Sequence, residues 1–145
     1  MRKVFALVVI LAFLTSCTSF EGAEDDVFEI TERFFAMQMF EVFIDSENFL
    51  GRTIRYEGMF TTLQWDDTGQ DFHLVYRYTE GCCMPEEALG LEVYLNNIEP
   101  LPDGAWVEVI GVLERFNEGG QSFLRLDVVS LIEKDERGME LVPSL

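Results

Sequence analysis

The sequence has little of what most catalytic and metal sites are built from. Histidine occurs once, at His73, and cysteine three times, at Cys17, Cys82 and Cys83. No serine nucleophile elbow and no glycine-rich phosphate loop is present. Carboxylates are plentiful, but sugar hydrolysis needs two at a set separation, and nothing in the residue order sets one. The chain therefore reads as a non-enzyme, and no motif names a cofactor. Basic residues are scarce: 10 Lys and Arg stand against 27 Asp and Glu, for a formal charge of −17. That surface repels phosphate backbones, which argues against nucleic acid as a partner. It repels anionic lipid headgroups for the same reason. Long apolar runs are missing as well. The run Val4–Leu14 is too short for a membrane span.

What is there begins with an address. Arg2 and Lys3 precede the apolar run, and Leu14-Thr15-Ser16-Cys17 follows it. That is the layout of a secretory signal. Its end resembles the bacterial lipobox, an aliphatic residue, two small residues and a cysteine. The resemblance implies that residues 1–16 are removed and that Cys17 becomes a lipidated N-terminus; the alternative is a secreted protein with a chance cysteine. Loss of Arg2 and Lys3 makes the mature chain two charges more negative than −17. The acyl chains would then do the anchoring. The expected place is the bacterial cell envelope, facing outside the cytoplasm. Residues 17–26 read as a short acidic tether, 27–134 as one domain and 135–145 as a charged tail that frays.

Within the domain, Val27–Thr31 alternates like a short strand. A helix follows, with Phe35, Met39, Val42 and Phe43 at helical spacing. Five runs then alternate with a period of two. The first, Arg52–Trp65, puts Ile54, Tyr56, Gly58 and Phe60 on one face. The second puts Phe72, Leu74, Tyr76 and Tyr78 inward, leaving His73, Val75 and Arg77 outward. Leu91, Val93 and Leu95 alternate next. Val107, Val109, Gly111 and Leu113 follow, and then Leu124, Leu126 and Val128. Asp66-Asp67-Thr68-Gly69 and Asn117–Gln121 are hairpin connections. Gly58 and Gly111, each inside a strand, mark bulges or sharp bends. Five short strands broken by glycine, with one helix, predict a mainly β fold, a small five-stranded barrel like the oligonucleotide/oligosaccharide-binding (OB) fold. A plain antiparallel sandwich is the competing architecture.

More narrowly, residues 49–131 resemble a bacterial family of unknown function, whose members are membrane proteins or lipoproteins with an OB-like domain. The matching phrases are Leu50-Gly51-Arg52-Thr53-Ile54, Tyr56-Glu57-Gly58-Met59-Phe60, the pair Cys82-Cys83 behind an aromatic strand, and Gly104-Ala105-Trp106-Val107 with Gly111. Some members are described beside permeases, so the resemblance implies an envelope protein or permease as partner. A lipid anchor in place of spanning helices departs from the membrane members and argues against direct transport.

Three functions stay open: an anchored binding or interaction module, a metal-handling or thiol-redox protein working through Cys82 and Cys83, and a structural envelope protein. With Cys17 lipidated, Cys82 and Cys83 are the remaining thiols in an oxidising compartment. A vicinal disulfide, a metal, an intermolecular bond and plain burial are their options. Adjacent Cα atoms lie ~3.8 Å apart, closer than ordinary bridges allow, so a vicinal disulfide is strained and easily reduced. No spacing nearby matches a zinc motif. Burial weighs as much as all the thiol chemistry together. His73 is expected on the surface, about 20 Å of strand away from the cysteines.

Overall fold

The computed structural model describes residues 27–65, 68–80 and 87–143. Cys17, Cys82 and Cys83, the signal segment and the tether lie outside the described residues. Alternation of apolar and polar side chains produces the five long strands. They are β2 (Thr53–Gln64), β3 (Asp71–Thr79), β4 (Glu87–Tyr94), β5 (Trp106–Glu118) and β6 (Gln121–Glu133). A two-residue strand, β1 (Phe28–Glu29), precedes them and runs parallel to the start of β2. A 3-10 turn (Glu32–Phe34), helix α1 (Phe35–Ile44) and the single turn α2 (Ser46–Phe49) lie between.

The strands close on themselves in the order β2-β5-β6-β4-β3-β2. All contacts in this ring are antiparallel except β4 with β6. That order and that one parallel contact make the barrel OB-like. The ring closes with a large stagger. Thr62 pairs with His73, His73 with Val93, Val93 with Leu126 and Leu126 with Leu113. Leu113 then donates its N–H to the carbonyl of Arg52, ten residues from where the circuit began. So tight a ring brings backbones together where side chains cannot intrude. A Cβ on Gly58 would sit 2.8 Å from the Tyr76 carbonyl oxygen, and one on Gly111 would sit 2.8 Å from that of Asp127. These are the two glycines whose position inside strands signalled bending. The β5–β6 hairpin turns on Gly119 and Gly120, both at positive φ, as a two-residue type I′ turn requires.

The interior is filled by Ile54, Tyr56, Phe60, Val75, Leu91, Val93, Val107, Val109, Leu113 and Leu126. Phe35, Ala36, Met39 and Val42 of α1 pack against this core. Phe43, placed on the same stripe by its spacing, is instead exposed.

Strand β3 is turned over relative to the sequence expectation. Val75 and Arg77 point inward, and Phe72, Leu74, Tyr76 and Tyr78 are only partly covered. Arg77 is 2% exposed, its guanidinium lying 5.0 Å from the Phe35 ring centre and 4.8 Å from that of Trp106. Nε donates to the Glu57 carbonyl at 2.7 Å, and one terminal nitrogen donates to Glu32 at 3.0 Å and to the Met139 carbonyl at 3.1 Å. A buried guanidinium is tolerated because rings cover it and its donors are occupied.

The tail after Lys134 does not fray. Glu32 accepts the Met139 N–H at 2.7 Å, and β7 (Leu141–Val142) runs parallel to the end of β3. Val142 is part of the core. The tail's charges suggested solvent, but they flank one buried apolar residue.

Candidate functional site

Because Leu91 and Val93 of β4 point into the barrel, Glu92 and Tyr94 point out. By the same alternation Phe72 of β3, Glu114 and Phe116 of β5, and Phe123 and Arg125 of β6 stand on the outer surface around β4. The β2–β3 hairpin carries Trp65 across this surface. Its ring lies 4.8 Å from Phe72 and 6.0 Å from Phe123, and Phe123 stacks on Phe116 at 5.5 Å. The guanidinium of Arg125 sits over Tyr94 at 4.4 Å and over Phe116 at 4.7 Å, while Nε donates to Glu114 at 2.6 Å.

Trp65, Phe72, Tyr94, Phe116 and Arg125 line a cleft of ≈ 390 Å³ between the β2–β3 and β5–β6 hairpins, with Gln70, Asp71, His73, Glu92, Asn117 and Glu118 supplying polar atoms. A second hollow of ≈ 340 Å³ shares Trp65 and Glu118 with it and runs on between the two hairpin tips. Together they form one trough, open to solvent, with Tyr94 46% exposed on its wall. Burial pushes the Glu92 carboxyl above its ordinary value; Glu118 adds to that shift and Arg125 opposes it. The trough thus offers ring faces, a fixed guanidinium already satisfied by Glu114, and a carboxyl that takes up a proton more readily than usual.

Another hollow, of ≈ 290 Å³, lies between β1 and the barrel. Both of its guanidiniums are paired, Arg55 with Glu108 at 2.6 Å and Arg77 with Glu32, while Glu57 pairs with Lys134 and Glu29 also lines it.

His73 lies on the same face of β3 as Val75, which the structure turns inward, so it is half-buried instead of sitting on the surface. Its ring stacks on Phe60 at 5.5 Å, and Nδ1 is 3.0 Å from the Thr62 hydroxyl. Burial lowers its pKa, with Asp71 and Asp103 acting in the opposite direction. Among the described residues, no group of three or more His, Cys, Asp or Glu is placed to hold a metal. The sites proposed from sequence, Cys82 and Cys83, fall outside the described residues, so the structure brings nothing to or from them. The trough was not anticipated. Phe72 had been assigned to the interior, and Trp65, Tyr94, Phe116 and Phe123 carried no motif. Their one signal was parity: Tyr94 alternates with buried Val93 and Leu95, so its ring had to face outward.

No curated protein matches the chain. A family model described as the DUF1980 C-terminal domain matches residues 16–136, a span that holds all five barrel strands and the whole trough. The chain belongs to the DUF1980 C-terminal domain family.

Proposed function

We propose that this chain is a lipid-anchored, extracytoplasmic binding module of the bacterial envelope that holds its ligand in the trough across β4. The observation that carries the reading is the cluster of rings on the outer surface, exposed Tyr94 with half-buried Trp65, Phe72, Phe116 and Phe123, organised around Arg125. They lie outside a barrel whose interior is independently filled, so they are not needed as core. Open apolar surface of this kind marks interaction sites, and the cleft volume is in the range of small-ligand and peptide sites. OB barrels bind along this face and between these two loops, which supports the reading by analogy. The acidic balance turns away polyanions. That leaves an uncharged ring-bearing molecule or an aromatic-accepting segment of an envelope protein, a permease among them given the family resemblance. The Cys17 anchor rests on the order of charge, apolar run and lipobox in the sequence.

A photo-crosslinking residue installed at Tyr94, with Val129 on the exposed side of β6 as control, tests the site in cells. The expected result is a discrete adduct from position 94 that Trp65→Ala abolishes. Equal adducts from both positions would remove the trough from consideration. Fatty-acid labelling tests the anchor separately, since wild type should take up label and Cys17→Ser should not.

A further inference from the structure

We infer that the outward face of α1 lies against the bilayer that carries the chain. The inference rests on the Cys17 anchor proposed above. Met37, Phe40 and Ile44, spaced i, i+3 and i+7, are 49%, 40% and 85% exposed, and this spacing puts them on one side of the helix. Phe34 and Phe43 flank them, also exposed. The opposite side, Phe35, Met39 and Val42, is sealed into the core. A helix apolar on both sides is ordinarily covered on both sides; here Arg33 lies over the Phe34 ring at 5.4 Å, while Met37, Phe40 and Ile44 stay exposed.

The face carries one carboxylate, Glu41, at i+4 from Met37, with Arg33 at its edge over Phe34. Glu41 is the only charged residue of α1. Gln38 is spent on the neighbouring chain: its amide nitrogen donates to the Glu29 carbonyl at 3.0 Å, and its oxygen accepts the Thr31 N–H at 2.9 Å. Recognition here is non-directional, which suits hydrocarbon better than a specific polar partner. A second copy fits poorly. At ~200 Å² for a large side chain, five that are partly exposed offer roughly 400–500 Å², short of the ~800 Å² per partner that stable interfaces bury.

The position of the helix in the chain selects the bilayer. The nine residues from Thr18 to Asp26 reach at most ~30 Å fully extended. An acyl group on Cys17 would therefore hold Val27, where the described fold begins, within that distance of the lipid, and α1 follows eight residues later at Phe35. Tethering turns even a weak apolar contact into a populated one, because the surface is present at high effective concentration. Apolar side chains held at a membrane surface settle at the headgroup–acyl boundary. The formal charge of −17 selects a neutral lipid surface over an anionic one.

The test uses the mature lipoprotein reconstituted into phosphatidylcholine vesicles, with and without bromine on the acyl chains. Wild type carries Trp65 and Trp106, both outside α1, and Phe40→Trp adds an indole to the outer face. The expected result is bromolipid quenching of Phe40→Trp well beyond that of wild type. Adding Ile44→Asp should remove that excess without lowering the melting temperature, because Ile44 supports nothing in the core. Quenching no greater than wild type overturns the inference. So does an added indole whose shielding tracks protein density instead of lipid, since that would place a second copy on the face. Intact mass of the same preparation reports the acyl chains, so failure of the anchor and failure of the helix contact are distinguishable.

Discussion

Replacing Arg77 by methionine tests the feature that most separates this structure from a simple alternating barrel. Methionine keeps much of the side-chain volume and removes the charge and the donors. Lost with them are the charged hydrogen bond from Nε to the Glu57 carbonyl, the bonds to Glu32 and the Met139 carbonyl, and the contacts with the Phe35 and Trp106 rings. A hydrogen bond from a charged group contributes about 1.5–3 kcal/mol, and a covered cation–π contact about 1–2 kcal/mol. Against these stands relief from burying a guanidinium, which its lowered pKa reflects; desolvation is the main cause and Glu32 opposes it. The Glu32 side chain is 42% exposed and keeps the Met139 N–H, so the loss of its ion pair costs little. The net expectation is a loss of about 2–4 kcal/mol. At about 4 °C per kcal/mol that is a melting temperature lower by roughly 8–16 °C. The loss should also have a location. Tyr78 and Glu80 donate their N–H groups to the carbonyls of Glu140 and Val142, and these two amides should gain hydrogen-exchange rate ahead of the rest of the sheet. Arg77→Lys should fall between, keeping charge but losing the fork. If Arg77→Met melts within about 1 °C of wild type and leaves both amides protected, the guanidinium is not the clasp described here.

Further outcomes follow from neighbouring groups. The hydroxyl of Tyr56 donates to the Val75 carbonyl at 2.8 Å and accepts the Leu91 N–H at 3.2 Å; Tyr56→Phe should cost about 1–3 kcal/mol in urea unfolding, because two buried backbone groups lose their partner. Glu32 is held below its ordinary 4.5, chiefly by the Met139 N–H and also by Arg77. The stability it contributes is therefore present above that pH and lost as pH falls through the depressed value, and Glu32→Gln should flatten the acid limb of a stability profile below about pH 5. Val109→Asp should abolish folding as read by circular dichroism, since the position is fully enclosed and an aspartate there would be an unpaired buried charge. For Cys82 and Cys83, intact mass before and after reductant should rise by two hydrogens if they are joined. An unchanged mass, with no bound metal and thiols reactive only after denaturation, would mean that they are simply buried.

Four of the five long strands were legible because their two faces differ. In β5, Val107, Val109, Gly111 and Leu113 alternate with residues that include Glu108 and Glu114, and all four are buried. In β3 the signal inverts. Phe72, Leu74, Tyr76 and Tyr78 form the more apolar set, yet His73, Val75 and Arg77 take the inside. Tertiary context decides the matter. The β3 interior faces Phe60, Phe35 and Trp106, whose rings stack on an imidazole and cover a guanidinium, while outside Phe72 packs on Trp65 and Tyr76 on Tyr78. Composition misled at the tail too, where the six residues from Asp135 to Glu140 hide the approach of Val142 to the core. The same limit hid the site, since Trp65 and Phe123 meet only through the bending of two hairpins that are distant in sequence.

Hydrophobic pattern reports which side chains are apolar and is silent on what covers them. Here that distinction carries the functional argument. Apolar side chains fill the barrel, and the polar atoms of Tyr56 and Arg77 there are hydrogen-bonded to the protein, so the functional proposals turn to the outside. Two apolar surfaces stand open there, on different elements and of different character. The trough across β4 combines rings with Arg125, Glu92 and Glu118 and can orient what it holds. The outer side of α1 has rings and methyl groups but only one charge of its own, so it can adhere without orienting. For the anchored module proposed above, the two surfaces would serve different contacts, one selective and one merely apolar. Mutating Tyr94 should therefore change what is bound, and mutating Ile44 should change only where the domain rests.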